Sequence, residues 1–286
     1  MANIRLIRRR IRGIQSIAKI TRAMEMIAAS KMRKAQERGL AGRSYSDKIT
    51  QVISSLAAMP QEQGANPLLM ARPSPKRLAV VHITPDRGLS GGLVSNMNRR
   101  VASFILEEGL PASVVAVGRK GVEFMRRTSQ DVVAEFANLG DKPGLLQTLP
   151  ISRIVIDDFT SGKVDAVYLA YARFVSTAVQ TPVVHKLLPV TPAPAESGVV
   201  SDYLFEPSAS EVLSALLPRF VEMQIYHAIL ESIASEQSAR MMAMRSATDS
   251  AEELITDLTL VYNKARQESI TTELLDIIGG AAALVQ

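Results

Sequence analysis

The chain has 286 residues, 47% hydrophobic and 21% charged, with a formal net charge of +5. It contains no Cys, which excludes disulfides, thiolate nucleophiles and cysteine-ligated zinc or iron–sulfur centres. Aromatics make up 5% with no Trp, and His82, His185 and His227 show no ligand spacing, so no metal, nucleotide or other cofactor site is expected.

The N-terminal region is strongly basic. Residues 1–48 carry thirteen Lys and Arg against only Glu25, Glu37 and Asp47. Such an end calls for an acidic partner: nucleic acid, anionic lipid or an acidic protein surface. The opening MANIRLIRRRIRG has no apolar core and no cleavage site, so it does not read as a secretory signal. No run of about 18 apolar residues occurs either. The expectation is a cytoplasmic protein with no span of its own. An apolar seam at Ile4, Ile7, Ile11, Ile14, Ile17, Ile20, Met24 and Ile27 predicts a helix. The repeated three-residue steps at Ile14, Ile17 and Ile20 predict a stammer, which overwinds a supercoil locally. Gly39 and Gly42 mark an expected bend or break, and Pro60 ends the pattern.

All 14 prolines lie between Pro60 and Pro218, as expected for a globular insert between two long helices. Within it, Leu78–Thr84, Ser113–Gly118, Asp165–Ala170 and Pro182–Val190 are β-branched runs that predict strands. Helical stretches are expected near Leu93–Glu108, Lys120–Thr128 and Leu145–Thr160, giving a sheet covered by helices and partly parallel. Gly88-Leu89-Ser90-Gly91-Gly92 matches the G-x-S-x-G of a hydrolase nucleophile elbow. Thr84-Pro85-Asp86-Arg87 separates it from the strand, however, which spoils the geometry. The glycines, like Val117–Gly121, could also cradle a phosphate, but no Lys follows Gly92 as a P-loop requires, and a plain strand-to-helix turn is the simpler reading. Residues 193–208 are rich in Pro, Ser and Glu and read as a surface connection.

From Arg219 to Ile278 there is neither Pro nor Gly, enough for a helix of about 90 Å. Its seam runs Leu230, Ile233, Gln237, Arg240, Met244, Ala247, Ala251, Leu254, Leu258, Val261, Ala265, alternating steps of three and four. That is a coiled-coil signature, with polar interruptions at Gln237 and Arg240. The final IIGGAAALVQ is apolar and needs cover from a partner. Two seams can pair within one chain as an antiparallel coiled coil; a homodimeric coiled coil is the alternative. The expected fold class is therefore α/β: a long antiparallel coiled coil of N- and C-terminal helices plus a central α/β domain with a partly parallel sheet. The corresponding segments are 1–59, 76–192 and 208–286. From the residues alone, a basic coiled-coil nucleic-acid-binding protein and a serine hydrolase stay open beside a mechanical role.

The terminal motifs narrow this. Lys19-Ile20-Thr21-Arg22-Ala23-Met24-Glu25-Met26-Ile27-Ala28-Ala29-Ser30-Lys31-Met32-Arg33 resembles the N-terminal signature of the F-type ATP synthase gamma subunits. The stretch from Ser235 through Arg240 to Met244 and the block Leu260–Thr271 resemble their C-terminal helix, and Asp86–Leu93 matches a family turn in which many members carry Cys where Ser90 stands. The resemblance implies a non-catalytic central rotor shaft. It would couple ion-driven rotation of the c-ring to ATP synthesis or hydrolysis at beta, on the cytoplasmic side of a bacterial plasma membrane. It implies one copy per complex, with alpha, beta, epsilon and the c-ring as partners. By the same resemblance Met24, Arg240, Gln267 and Thr271 are contacts to the alpha/beta ring, and Tyr203 and Glu206 contacts of the foot to the c-ring.

Overall fold

The computed structural model describes residues 4–57, 66–191, 205–206 and 208–284. Two helices dominate it: α1, Ile4–Ala57, and α5, Ala209–Leu284. Between them run β1 (Leu78–Ile83), α2 (Leu93–Glu108), β2 (Ala112–Val117), α3 (Arg119–Arg127), β3 (Asp131–Phe136), α4 (Leu145–Thr160), β4 (Ala166–Phe174) and β5 (Gln180–Leu188). By packing, the chain falls into two compact units. One comprises Met1–Ile27 with Met241–Gln286, the other Ala28–Arg240.

The larger unit holds a five-stranded sheet in the order β3-β2-β1-β4-β5. The first four strands are parallel, and β5 returns antiparallel on β4. Alternation along the strands assigns two faces. Leu78, Val80, Val114 and Ala116 meet Val101 and Phe104 of α2 and Met125 of α3. Ala79, Val81, Val115 and Leu169 meet Ile151, Val155 and Phe159 of α4, together with Ile53 of α1 and Leu217, Val221 and Ile225 of α5. The sheet is thus covered on both sides, as the strand–helix alternation predicts. One strand was not anticipated. β3, with sequence Asp-Val-Val-Ala-Glu-Phe, lies at an edge and is half-exposed throughout, so it lacks the continuous apolar run of β1 and β2. Its period-two alternation was the signal available.

Gly39 and Gly42 do not break α1, which runs through both. Gly42 has a different reason to be glycine: a Cβ there would lie 2.6 Å from Cε1 of His227 on α5. In the smaller unit, Thr21 of α1 meets Thr248 of α5, and Arg22 lies 3.7 Å from Glu252. From Thr21 opposite Thr248 to Gly42 opposite His227 the partner numbers on α5 fall as those on α1 rise, so the two helices are antiparallel.

The seam runs in a different phase from the one the isoleucines suggest. In the smaller unit the covered positions of α1 run Ile4, Ile7, Ile11, Ile14, Ala18 and Thr21, alternating steps of three and four with no stammer, and then Met24 and Glu25. Ile17 and Ile20 are instead 53% and 59% exposed. On α5 the seam passes through Met244, Thr248, Ala251, Ile255, Leu258, Tyr262 and Ala265, while Leu254 and Val261 are each 50% exposed. Around Thr21 and Ala251 small side chains lie in the seam, and Ile17, Ile20, Leu254 and Val261 are left on the flanks. A buried hydroxyl pair, Thr21 Oγ1 to Thr248 Oγ1 at 2.7 Å, sits in this seam. A polar pair at a core position favours one register, although each hydroxyl also reaches a carbonyl of its own helix, Ile17 and Ala18 for Thr21 and Met244 for Thr248.

Candidate rotor surfaces and the helix grip

The smaller unit has a covered seam and an apolar outside. Leu6, Ile17, Ile20 and Ile27 of α1 are all exposed, as are Leu254, Leu260, Val261 and Leu274 of α5. They lie among Arg5, Arg8, Arg9, Arg10 and Arg12, with no acidic residue in the first turn of α1. Leaving so many large apolar side chains in water is unfavourable, which makes this outside a candidate interaction surface. Met24 lies partly covered beside that face, and Gln267 and Thr271 are exposed one turn apart. The Thr271 hydroxyl donates to the Gln267 carbonyl at 2.9 Å, so it is turned onto its own helix.

Arg240 belongs to the larger unit and is held within the chain. Its side chain is only 12% exposed; Nη2 lies 2.6 Å from Glu236 Oε1 and donates to the Gly88 carbonyl at 3.2 Å. Burial pushes the Glu236 carboxyl above its ordinary range, and nearby Asp141 and Asp86 add to that, against the pull of the Arg240 guanidinium. Glu206 is exposed, whereas Tyr203 lies outside the described residues.

Sequence reasoning missed how much of the α5 motif faces inward. Ser235, Gln237 and Ser238 are all buried. Ser235 Oγ donates to the Ala172 carbonyl at 2.8 Å, and Ser238 Oγ to the Thr177 carbonyl at 2.7 Å. Glu231 accepts from the Phe174 amide at 3.1 Å. Residues 231, 235 and 238 share one helical face, which grips the β4–β5 hairpin. The signal was present: serines in a helix interior, where they contribute nothing to helix propensity.

Among the described residues the Gly-rich turn does not carry the hydrogen-bonded serine and base of a hydrolase. Ser90 is 2% exposed, and its Oγ has no hydrogen-bond partner among the described residues. A serine nucleophile needs a base within hydrogen-bond reach. His185, the candidate base, stands on β5 edge-on to Tyr171, 5.6 Å between centroids, and burial and Arg173 lower its pKa. An unpaired buried hydroxyl is a net cost. Ser90→Ala is therefore expected to hold or raise stability, by about 1 kcal/mol, read as a midpoint shift of about 3 °C in thermal melting. A clear loss would mean that the hydroxyl has a partner.

A cleft of about 50 Å³ opens where β1, β2 and β3 end, lined by Thr84, Gly118, Phe136 and Glu236 among others. Asp86 closes its rim, accepting from the amides of Arg119 at 3.0 Å and Asn138 at 2.9 Å. Among the described residues no cluster of His, Asp and Glu could hold a metal ion, and no helix is long and apolar enough to cross a membrane.

The smaller unit is thus an antiparallel helix pair with apolar and basic residues outside, and the larger a mostly parallel sheet covered by helices. The family model described as ATP synthase matches residues 3–284. The ATP synthase gamma chain of Dehalococcoides mccartyi is 66% identical over 285 residues, covering 99% of this chain and all of that one. The gamma chain of Roseiflexus castenholzii is 51% identical over 289 residues and both full lengths. Among solved structures, a chain of the central stalk and c-ring of the Tetrahymena thermophila mitochondrial ATP synthase aligns with a TM-score of 0.61 at 25% identity. The alignment covers 80% of this chain and 99% of that one. The chain belongs to the ATP synthase gamma chain family, the central stalk of the F-type enzyme. Nothing among the comparisons favours the nucleic-acid-binding alternative.

Proposed function

We propose that the chain works as a non-catalytic shaft. The ion-driven c-ring turns it, and its helix pair drives the beta subunits through their conformations inside the alpha/beta ring. The observation that carries this reading is the phase of the seam. With Ala18, Thr21 and Ala251 turned into the seam, Ile17, Ile20, Leu254 and Val261 stay outside, which gives the pair apolar contact points between its basic residues. Apolar contact is non-directional and has no hydrogen bond to break on rotation, as a sliding bearing requires. The flanking arginines supply charge attraction for acidic loops of beta. The beta subunits hold the nucleotides and do the chemistry, one copy of this chain serves each complex, and epsilon and the c-ring are the further partners. In this reading the complex holds the chain peripherally on the cytoplasmic side of a bacterial plasma membrane.

Met24, Gln267 and Thr271 are the proposed ring contacts. Arg240 is placed with them by its family resemblance, and its bonds to Glu236 and Gly88 favour a supporting part in that contact. Tyr203 and Glu206 are the proposed foot contacts to the c-ring. Met24→Lys is expected to lower proton pumping per ATP hydrolysed, because a further cation adds a specific ionic contact where surfaces must slide. Unchanged pumping per ATP would remove Met24 from the bearing. The reading as a whole is tested by mixing the chain with alpha and beta subunits of the same source. Native mass should give one copy with three alpha and three beta, and hydrolysis should depend on it. A stable homodimer, or no complex, would overturn it.

A further inference from the structure

Both long helices meet the α/β domain at one carboxylate. Asp141 sits in the loop between β3 and α4, flanked by Gly140 and the Gly144 that precedes α4. Lys31 Nζ of α1 lies 2.7 Å from Asp141 Oδ2, and Gln237 Nε2 of α5 donates to Asp141 Oδ1 at 3.4 Å. The two oxygens are thus divided between the two helices. Gln237 is buried and faces inward beside Ser238. One turn on, Arg240 ties α5 to the Gly88 carbonyl in the turn after β1. On the other side of α5, Ser235 and Ser238 hold the β4–β5 hairpin. These are directional bonds across the helix axis. Apolar packing, as around Ile225 and Leu217, lets a helix slip or rotate in small steps, whereas a hydrogen bond or ion pair resists rotation about the axis.

We infer that Asp141 is the positioning residue that fastens α1 and α5 together to the α/β domain, so that twist passes between the domain and both helices at this point. The inference rests on the shaft reading for its consequence in the assembled motor. Lys31 and Asp141 are each close to half exposed, so the pair adds little to global stability. Its contribution is angular: among the described residues the Lys31 pair is the directional bond from α1 to this loop.

Three variants test the grip: Asp141→Ala, Lys31→Asp, and the exchange of the two charges in Lys31→Asp with Asp141→Lys. In the full chain alone, each single variant should speed amide exchange at residues 28–35 about threefold, the size of losing one half-exposed pair, while melting shifts by no more than about 3 °C. In the complex assembled with alpha, beta and the membrane sector, each single variant should lower proton pumping per ATP hydrolysed at least twofold. The exchanged pair should restore both readouts. Unchanged exchange in the single variants would overturn the grip. Restored exchange without restored pumping, or single variants that pump normally, would overturn the path for twist. If the unmodified chain fails to assemble, the shaft reading falls and takes the path for twist with it. The exchange measurement, made on the chain alone, still decides whether Asp141 holds the helices.

Discussion

Gly118→Ala is expected to cost more than any other single methyl added to this chain. Gly118 follows β2 with φ +94 and ψ 138, a region that side-chain-bearing residues avoid. A Cβ there would lie 1.9 Å from the Thr84 carbonyl oxygen and 2.7 Å from its carbon. Both are backbone atoms, so no rotamer change relieves the clash. Moving them would disturb three strand ends at once. The Thr84 amide donates to the Val117 carbonyl at 2.8 Å, and the Gly118 amide to the Phe136 carbonyl at 2.7 Å. Thr84 Oγ1 also accepts from the Gly121 amide at 2.8 Å. Strain and overpacking together point to a loss of about 4 kcal/mol or more. That corresponds to a melting midpoint lower by about 10 °C, or to failure to accumulate folded chain. Gly109→Ala is the control. It also has positive φ, at +64, but no atom lies within 4 Å of its added Cβ, so only the conformational cost of about 1 kcal/mol applies. Equal effects in the two variants would show that the strand ends can move apart.

Stability should also fall as the pH drops from about 6.5 to about 4, with His82 contributing about 3 kcal/mol of the loss. His82 is fully buried in the middle of β1, and burial lowers its pKa from 6.5 to about 4. The bond between Nε2 and Asn98 Oδ1, 2.9 Å long, opposes the shift only in part. Nδ1 has no partner among the described residues, and a Cβ on Gly121 would come within 2.9 Å of the ring, so there is no room for a hydrated imidazolium. In the unfolded chain the ring takes up its proton below about 6.5, while the folded chain refuses it until about 4. Unfolding is therefore favoured progressively across that window, and the difference saturates below it. His185, whose pKa is also lowered by burial, acts in the same direction. Urea titrations at pH 7 and pH 4.5 on the wild type and His82→Gln check this. The variant should be less stable at pH 7, but its stability should change less between the two. Parallel losses in both proteins would assign the pH dependence to other groups.

Several elements could be read directly from local chemistry. The helices near Leu93–Glu108 and Leu145–Thr160 are α2 and α4, and the runs at Leu78 and Ser113 are the central strands β1 and β2. Fully buried strands and amphipathic helices carry their environment in their own residues, so a window of about ten residues suffices. The confinement of proline to residues 60–218 likewise marked the two long helices, although α5 begins earlier and accommodates Pro218. The exposed edge strand β3 lacked such a signal because half of its environment is solvent. Of the candidate contacts, Arg240 already stood in the predicted seam, and its enclosure by Glu236 and Gly88 agrees with that position, whereas the exposure of Gln267 and Thr271 appears only in the structure.

The composition and periodicity of this chain determined by themselves that two heptad-patterned helices flank an α/β domain, and its terminal motifs pointed to the family. Only the tertiary structure decided which stripe of each helix is the seam. Ile14, Ala18 and Thr21 fit a heptad as well as Ile14, Ile17 and Ile20 fit a stammer, and hydrophobicity favours the second. What settles it is the partner. Ala18 and Thr21 can lie close to Ala251 and Thr248, whereas Ile17 and Ile20 would hold the backbones apart. Close packing between helices is a property of pairs of surfaces, and no single stretch of sequence contains both. The same holds for Gly42 against His227 and for Asp141 between Lys31 and Gln237. Each joins residues more than ninety positions apart, and their meaning appears only when the chain has returned on itself.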